Sequence, residues 1–213
     1  MGAVKKIGRL RETSLPAILL SASDEDVPFG GREAFPFIVV MPLAKQRDWK
    51  PQFDSLINLL DKLMPVVGGD PSATYCCGNS MGGKGTWELA SKNPGRFAAI
   101  VPICGYLVDH KKLDKADSPS SLKEVVDGCK DLPCWVFHSI TDRLVEVDHS
   151  DEVVAALREA GGSELHYTRY ESAPNLPNFP EKGFGHACYE LSFREDELYC
   201  WLLSKRIKEK VSE

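Results

Sequence analysis

The chain has 213 residues, 43% hydrophobic and 27% charged, with a formal net charge of −5. That is length enough for a single core-forming domain over residues 1–213, of ordinary soluble composition. The acidic balance argues against nucleic-acid binding, and no apolar run reaches the ~18 residues of a membrane span.

The start, Met1-Gly2-Ala3-Val4-Lys5-Lys6, lacks the apolar stretch of a secretory signal, and Lys6 stands where a myristoylation signal needs Ser or Thr. A cytoplasmic protein is expected. Two readings compete for the next segment: residues 15–21 as an early strand, or residues 9–20 as a helix. Residues 37–41 predict a strand. Over residues 53–63, Leu56, Leu59, Leu60 and Leu63 recur at helical spacing, and Pro65 is expected to stop that helix.

Residues 73–77, Ala-Thr-Tyr-Cys-Cys, read as a short strand, and residues 83–92 as a helix. A strand at 97–103 follows. Residues 106–132 are polar, with one helical run near 122–126; this stretch is a candidate lid or a surface excursion. Residues 133–138 predict a buried strand, and 148–160 a helix with Val153, Ala156, Leu157 and Ala160 on one face, ended by Gly161-Gly162. Residues 165–170 predict a strand. A loop stiffened by Pro174, Pro177 and Pro180 follows, then a last helix over 195–208 with Leu198, Trp201, Leu202 and Lys205 as its packed stripe. Strands alternating with helices predict an α/β fold, a mainly parallel sheet flanked by helices.

Between the strand at 73–77 and the helix at 83–92 stands Gly78-Asn79-Ser80-Met81-Gly82, the G-x-S-x-G spacing of a nucleophile elbow. Such a turn strains the serine backbone and exposes its hydroxyl at the carboxyl edge of a sheet. Small residues two before and two after the serine let the arms of the turn pass. The alternative is a tight turn whose serine only caps the next helix. In this motif the acid and base follow in the order Asp or Glu, then His. Asp142 lies just past the strand at 133–138, where open parallel sheets present ligand-facing groups, and His186 follows Gly185 in a later loop. The roles would be Ser80 as nucleophile, His186 as base and Asp142 as its orienter. The rivals fit less well. Asp148 and Asp151 open a predicted helix, His149 sits beside them, and Asp109, His110, Asp114 and Asp117 lie in the polar stretch. His166 falls inside a strand, and His138 is a candidate pocket-lining residue.

These residues carry a resemblance. Residues 35–42, the elbow with Thr86-Trp87-Glu88-Leu89-Ala90, residues 97–105, residues 133–142 and Gly185-His186 occur in the order and spacing of the α/β-hydrolase superfamily. The chain is most similar to its esterase and predicted-peptidase branch, over roughly residues 35–203. The resemblance implies an α/β-hydrolase fold with reduced N-terminal strands and a serine hydrolase acting on a small-molecule ester without metal or cofactor. It also implies that the backbone N–H of Met81 supplies half of an oxyanion hole. The family's other half comes from a His-Gly loop after an early strand, and this chain has no histidine before His110. A backbone N–H from residues 21–26 is the candidate substitute. The alternatives are a catalytically weakened hydrolase fold that binds a small molecule or a partner, and an incomplete fragment whose open sheet edge pairs with a second copy as a homodimer.

Seven cysteines show no C-x-x-C spacing and no zinc-like cluster with histidine. They read as small buried hydrophobes of a reducing compartment. Cys188, two residues after His186, is a candidate reactive thiol.

Overall fold

The structure is a computed structural model that describes residues 14–19, 27–28, 31–44, 48–107, 122–162, 164–176 and 184–207. In chain order these form α1 (Ser14–Leu19), α2 (Phe53–Val67), β1 (Tyr75–Asn79), α3 (Met81–Lys92), β2 (Ala99–Ile103), α4 (Leu122–Cys129), β3 (Cys134–Ser139), α5 (Asp148–Glu159), β4 (Leu165–Tyr170), α6 (Tyr189–Ser192) and α7 (Asp196–Leu203). The strands lie side by side as β1-β2-β3-β4, every pair parallel. Tyr75 stands opposite Ala99, and Cys134 opposite Leu165. Parallel neighbours need a crossover, and α3, α4 and α5 lie in the three connections.

Two apolar layers sandwich the sheet. On one face Ile100, Cys134 and Val136 pack with Trp87, Leu89, Val125, Val153 and Leu157 from α3, α4 and α5. On the other, Val101, Ile103, Trp135 and Phe137 pack with Leu15 and Ile18 of α1 and with Tyr189, Leu198 and Tyr199 of α6 and α7. Covered on both faces, β2 and β3 are buried along their whole length, which is why they read as continuous apolar runs rather than alternating ones. Each fully buried Val, Leu or Ile contributes about 1.5–3 kcal/mol of transfer free energy.

The α/β architecture, the helix at residues 148–160 and the strands at 133–138 and 165–170 match expectation to within a residue. Other elements differ. Ser14–Leu19 is helical, so the early-strand reading of residues 15–21 fails over that stretch; Leu15 and Ile18, three apart on one helix face, are both buried. Residues 35–44 belong to no helix or strand, so the strand expected at residues 37–41 is not formed. Phe35 and Phe37 turn onto Tyr199 at 5.3 and 5.8 Å, and Phe37 onto Tyr75 at 5.9 Å, so aromatic packing rather than a hydrogen-bond ladder holds them.

Pro65 does not end α2, which runs on to Val67 and stops at Gly68 with φ 66°. The proline removes only the bond to the Asp61 carbonyl, and both residues are exposed, so water can serve that carbonyl. The last helix ends at Leu203 instead of residue 208. The Arg206 guanidinium donates to the Leu203 carbonyl at 2.8 Å, and Ile207 N–H donates to the Ser72 carbonyl at 2.8 Å, drawing the chain off the helix axis. Cys77 and Cys200 are exposed rather than buried; among the described strands β1, which carries Cys77, pairs with β2 alone. Residues 108–121, most of the candidate lid, and the proline loop at 177–183 lie outside the described residues. So do His110 and residues 21–26.

Candidate active site

Ser80 follows β1 directly, with φ 55° and ψ −118°, one of two non-glycine residues with positive φ among those described. This backbone is costly for a residue with a Cβ, and the surroundings enforce it. The Ser80 N–H donates to the Ile103 carbonyl at 2.9 Å, and the Ser80 carbonyl accepts from Lys84 N–H at 3.0 Å. Although Ser80 occupies the N-cap position of α3, its side chain makes no capping hydrogen bond. The helix-cap alternative is therefore not the one realised.

Close backbone approach explains which glycines the turn needs. A Cβ on Gly78 would lie 2.5 Å from the Gly82 carbonyl oxygen, and one on Gly83 would lie 2.7 Å from the Ile103 oxygen and 2.8 Å from Gly105 Cα. A Cβ on Gly82 would meet nothing within 4 Å. Of the two flanking small residues, only the one before the serine is sterically required, and Gly83 is the residue that lets α3 lean against the end of β2. Met81 opens α3, so its N–H belongs to the first turn, where the helix itself supplies no acceptor.

The other positive-φ residue, Cys104 at φ 40°, caps the carboxyl end of β2 beside Ser80. It is fully buried. Its thiol donates weakly to the His186 carbonyl at 3.8 Å. Burial, the neighbouring Cys188 thiol and the Asp142 carboxylate push it well above its ordinary pKa, so it stays protonated.

Asp142 and His186 meet at the end of β3. The two are 4% and 2% exposed, and Asp142 Oδ2 receives His186 Nδ1 at 2.6 Å. Asp142 Oδ1 accepts the N–H groups of Leu144 and Val145, both at 2.9 Å. Burial alone would raise the Asp142 pKa; the N–H groups of His138, His186 and Val145 outweigh it and hold the carboxyl below its ordinary value. The His186 segment is bolted to the Asp142 loop. Arg143 N–H donates to the Phe184 carbonyl at 3.0 Å, and the Arg143 guanidinium lies 4.8 Å from the Phe184 ring centre. Gly185, at φ 69°, sits where a Cβ would come 2.6 Å from the Thr141 carbonyl. Any other residue there would part the two loops.

The structure thus brings Asp142 and His186 into hydrogen-bond contact after β3 and places Ser80 and Met81 after β1, two strands away on the same edge of the parallel sheet. Asp148 and Asp151 begin α5 as expected, and Asp151 accepts from Tyr167 Oη at 2.7 Å. His166 lies on β4 among Trp135 and Trp201, remote in role. His138 is not a pocket-lining residue; it is fully enclosed behind Asp142. Cys188 is buried. Cys104 was missed as part of the site, although its place at the end of the strand beside Ser80 was a usable signal.

Cys104 Sγ, a carboxylate oxygen of Asp142 and a ring nitrogen of His186 lie within 4.8 Å of one another, a donor set of the kind soft metals take. The His and Asp atoms are already joined by a short hydrogen bond and the thiol is held protonated. The chemistry is that of an acid–base pair with a thiol behind it.

No family model matches the chain, and neither does any curated protein. Solved structures do. A thermostable esterase is 33% identical with a TM-score of 0.55, over 74% of this chain. An Arabidopsis thaliana SOBER1 variant is 18% identical with a TM-score of 0.51, over 79% of this chain. An α/β hydrolase enzyme from a Medee basin deep-sea metagenome library is 22% identical with a TM-score of 0.52, over 78% of this chain. The chain spans 37%, 69% and 67% of those three proteins. With its parallel sheet, flanking helices and these structural relatives, the chain has the α/β-hydrolase fold.

Proposed function

We propose that this chain is a serine hydrolase that cleaves a carboxylic ester of a small molecule through an acyl-enzyme. The observation that carries the reading is the buried 2.6 Å hydrogen bond between His186 Nδ1 and Asp142, on a strand two places from a strained, uncapped serine. With Nδ1 committed to the carboxylate, Nε2 is the nitrogen left to act as base. Ser80 Oγ attacks the acyl carbon and its proton passes to His186 Nε2. The Met81 N–H faces the developing oxyanion, with the start of α3 adding partial positive charge. The alkoxide leaves with the proton from Nε2. Water then repeats the sequence, releasing the acid and restoring Ser80. Asp142 holds the ring in the working tautomer and stabilises its charged form.

The esterase named among the structural relatives supports an ester as substrate. Among the described residues no helix is long and apolar enough to cross a membrane. Together with four buried free cysteines, Cys104, Cys129, Cys134 and Cys188, this supports a cytoplasmic location. A second reading, a weakened hydrolase that binds rather than turns over, draws on one observation: β1 is the outer strand of the sheet. The described residues therefore include no early strand beside Ser80 to carry a second oxyanion donor. Loss of one such donor lowers turnover by about 10²–10³.

The test is hydrolysis of p-nitrophenyl esters of increasing acyl length. Turnover with a burst of one equivalent, absent in Ser80→Ala, is the expected result. Tight binding of the esters without any burst overturns the enzyme reading in favour of the binder.

A further inference from the structure

His138 and Ser150 take no part in the steps above, yet they are 0% and 1% exposed and lie directly behind Asp142. His138 Nε2 is 2.9 Å from the Val145 carbonyl, and Nδ1 is 2.7 Å from Ser150 Oγ. A carbonyl only accepts, so Nε2 carries the proton. In the neutral ring Nδ1 then accepts from the Ser150 hydroxyl. The tautomer is assigned from these partners alone. The same Nε2–H edge lies 3.4 Å from Asp142 Oδ2, the oxygen that receives His186. That distance is too long for a full hydrogen bond, but between two fully buried side chains it is a favourable charge–dipole contact.

We propose that His138, held by Ser150, is a positioning residue for the Asp142–His186 pair: its Nε2–H faces the shared carboxylate oxygen and keeps Asp142 ionised and aimed. The inference rests on the triad reading above and extends it to Ser150 on α5. The groups facing Asp142 can be named. His186 comes from the segment before α6, His138 from β3, Cys104 from the end of β2 with Cys188 beside it, and two backbone N–H groups come from the loop of Asp142 itself. The Cys104 thiol stays protonated and contributes no charge. Each N–H offsets the cost of burying the carboxylate, so removing one favours its neutral form. A neutral Asp142 no longer supports the charged His186 that forms during attack. The acidic limb of reactivity then moves to higher pH.

The experiment is the pH dependence of Ser80 labelling by a fluorophosphonate, in wild type, His138→Leu, His138→Gln and Ser150→Ala. The expected limb in His138→Leu lies higher by about half a pH unit or more, with a plateau rate lower by about tenfold. Gln presents an amide N–H near the place of Nε2, so its limb returns toward wild type. Ser150→Ala falls between. An unchanged limb in His138→Leu, with only a lower Tm, overturns the proposal; should that variant fail to fold, an unchanged limb in Ser150→Ala does so.

Failure of the hydrolase reading would be seen separately, as a wild type that takes no label. The Asp142 carboxyl carbon, followed by NMR against pH, then decides. Its protonation at higher pH in His138→Leu than in wild type upholds the positioning role, and protonation at the same pH overturns it.

Discussion

The two ends of the candidate site are built differently. Asp142 and His186 sit at the end of interior strand β3, where the carboxylate is ringed by N–H groups and both side chains are all but sealed. Ser80 sits at the end of β1, the outermost of the described strands, whose Tyr75 packs against Phe37 of a segment that joins no sheet. There Ile38, Val40, Met41 and Leu43 are 58%, 37%, 43% and 41% exposed. The acid–base half is locked by hydrogen bonds and burial. The candidate nucleophile is held by backbone packing of Ser80 and Gly83 against Ile103 and Gly105, while among the described residues no strand pairs with the outer edge of β1. Among the described residues, the placing of Ser80 therefore depends on the contact between β1 and β2.

Breaking the sealed end has the largest expected effect. Asp142→Asn keeps the shape but offers an amide to His186 Nδ1, and turnover should fall by about 10⁴ with the fold intact. Steady-state kinetics beside a thermal melt check both parts. Next comes the packing that holds the nucleophile. Gly83→Ala forces a methyl into the β2 backbone and should cost about 2–4 kcal/mol together with most activity. Gly82→Ala, where space is open, should leave stability unchanged or raise it by roughly 0.5–1 kcal/mol, since alanine suits a helix better. Equal losses at the two positions in denaturant titrations would refute the backbone-contact account.

Acid sharpens the same contrast. Asp142 is held below its ordinary pKa, so in the folded chain it stays ionised where the unfolded chain would be protonating. Its contribution to stability is complete above the ordinary aspartate range and is lost as pH falls through the lowered folded value. The Tm difference between wild type and Asp142→Asn should be full at neutral pH and shrink as the pH drops below about 4. The smallest effect belongs to the open flank. Ile38→Lys should change stability by no more than about 0.5 kcal/mol. If the outer edge of β1 pairs with a second copy, the substitution should also lower the mass measured by light scattering toward that of the monomer.

Strand–helix alternation made the fold legible over residues 73–203, because β2 and β3 are buried on both faces and so carry unbroken apolar runs. Ser80, Asp142 and His186 could be singled out because each sits just beyond a strand or beside a glycine that the geometry requires. The misses have physical causes. Residues 37–41 have strand composition, but composition cannot report whether a partner strand stands alongside. Pro65 reads as a stop only where its orphaned carbonyl is buried, and Asp61 is exposed. Residues 15–20 form one unbroken apolar run, which periodicity cannot assign to strand or helix over so short a length. The role of His138 is set by Val145 and Ser150, whose approach depends on how the loop after β3 folds back.

The most direct measurement is intact-mass analysis after fluorophosphonate treatment of wild type and Ser80→Ala. A single adduct on wild type, mapped to the peptide containing Ser80 and absent from the variant, is the predicted result. A folded wild type that gains no adduct, or the same adduct on Ser80→Ala, would contradict the claim that His186 and Asp142 activate Ser80.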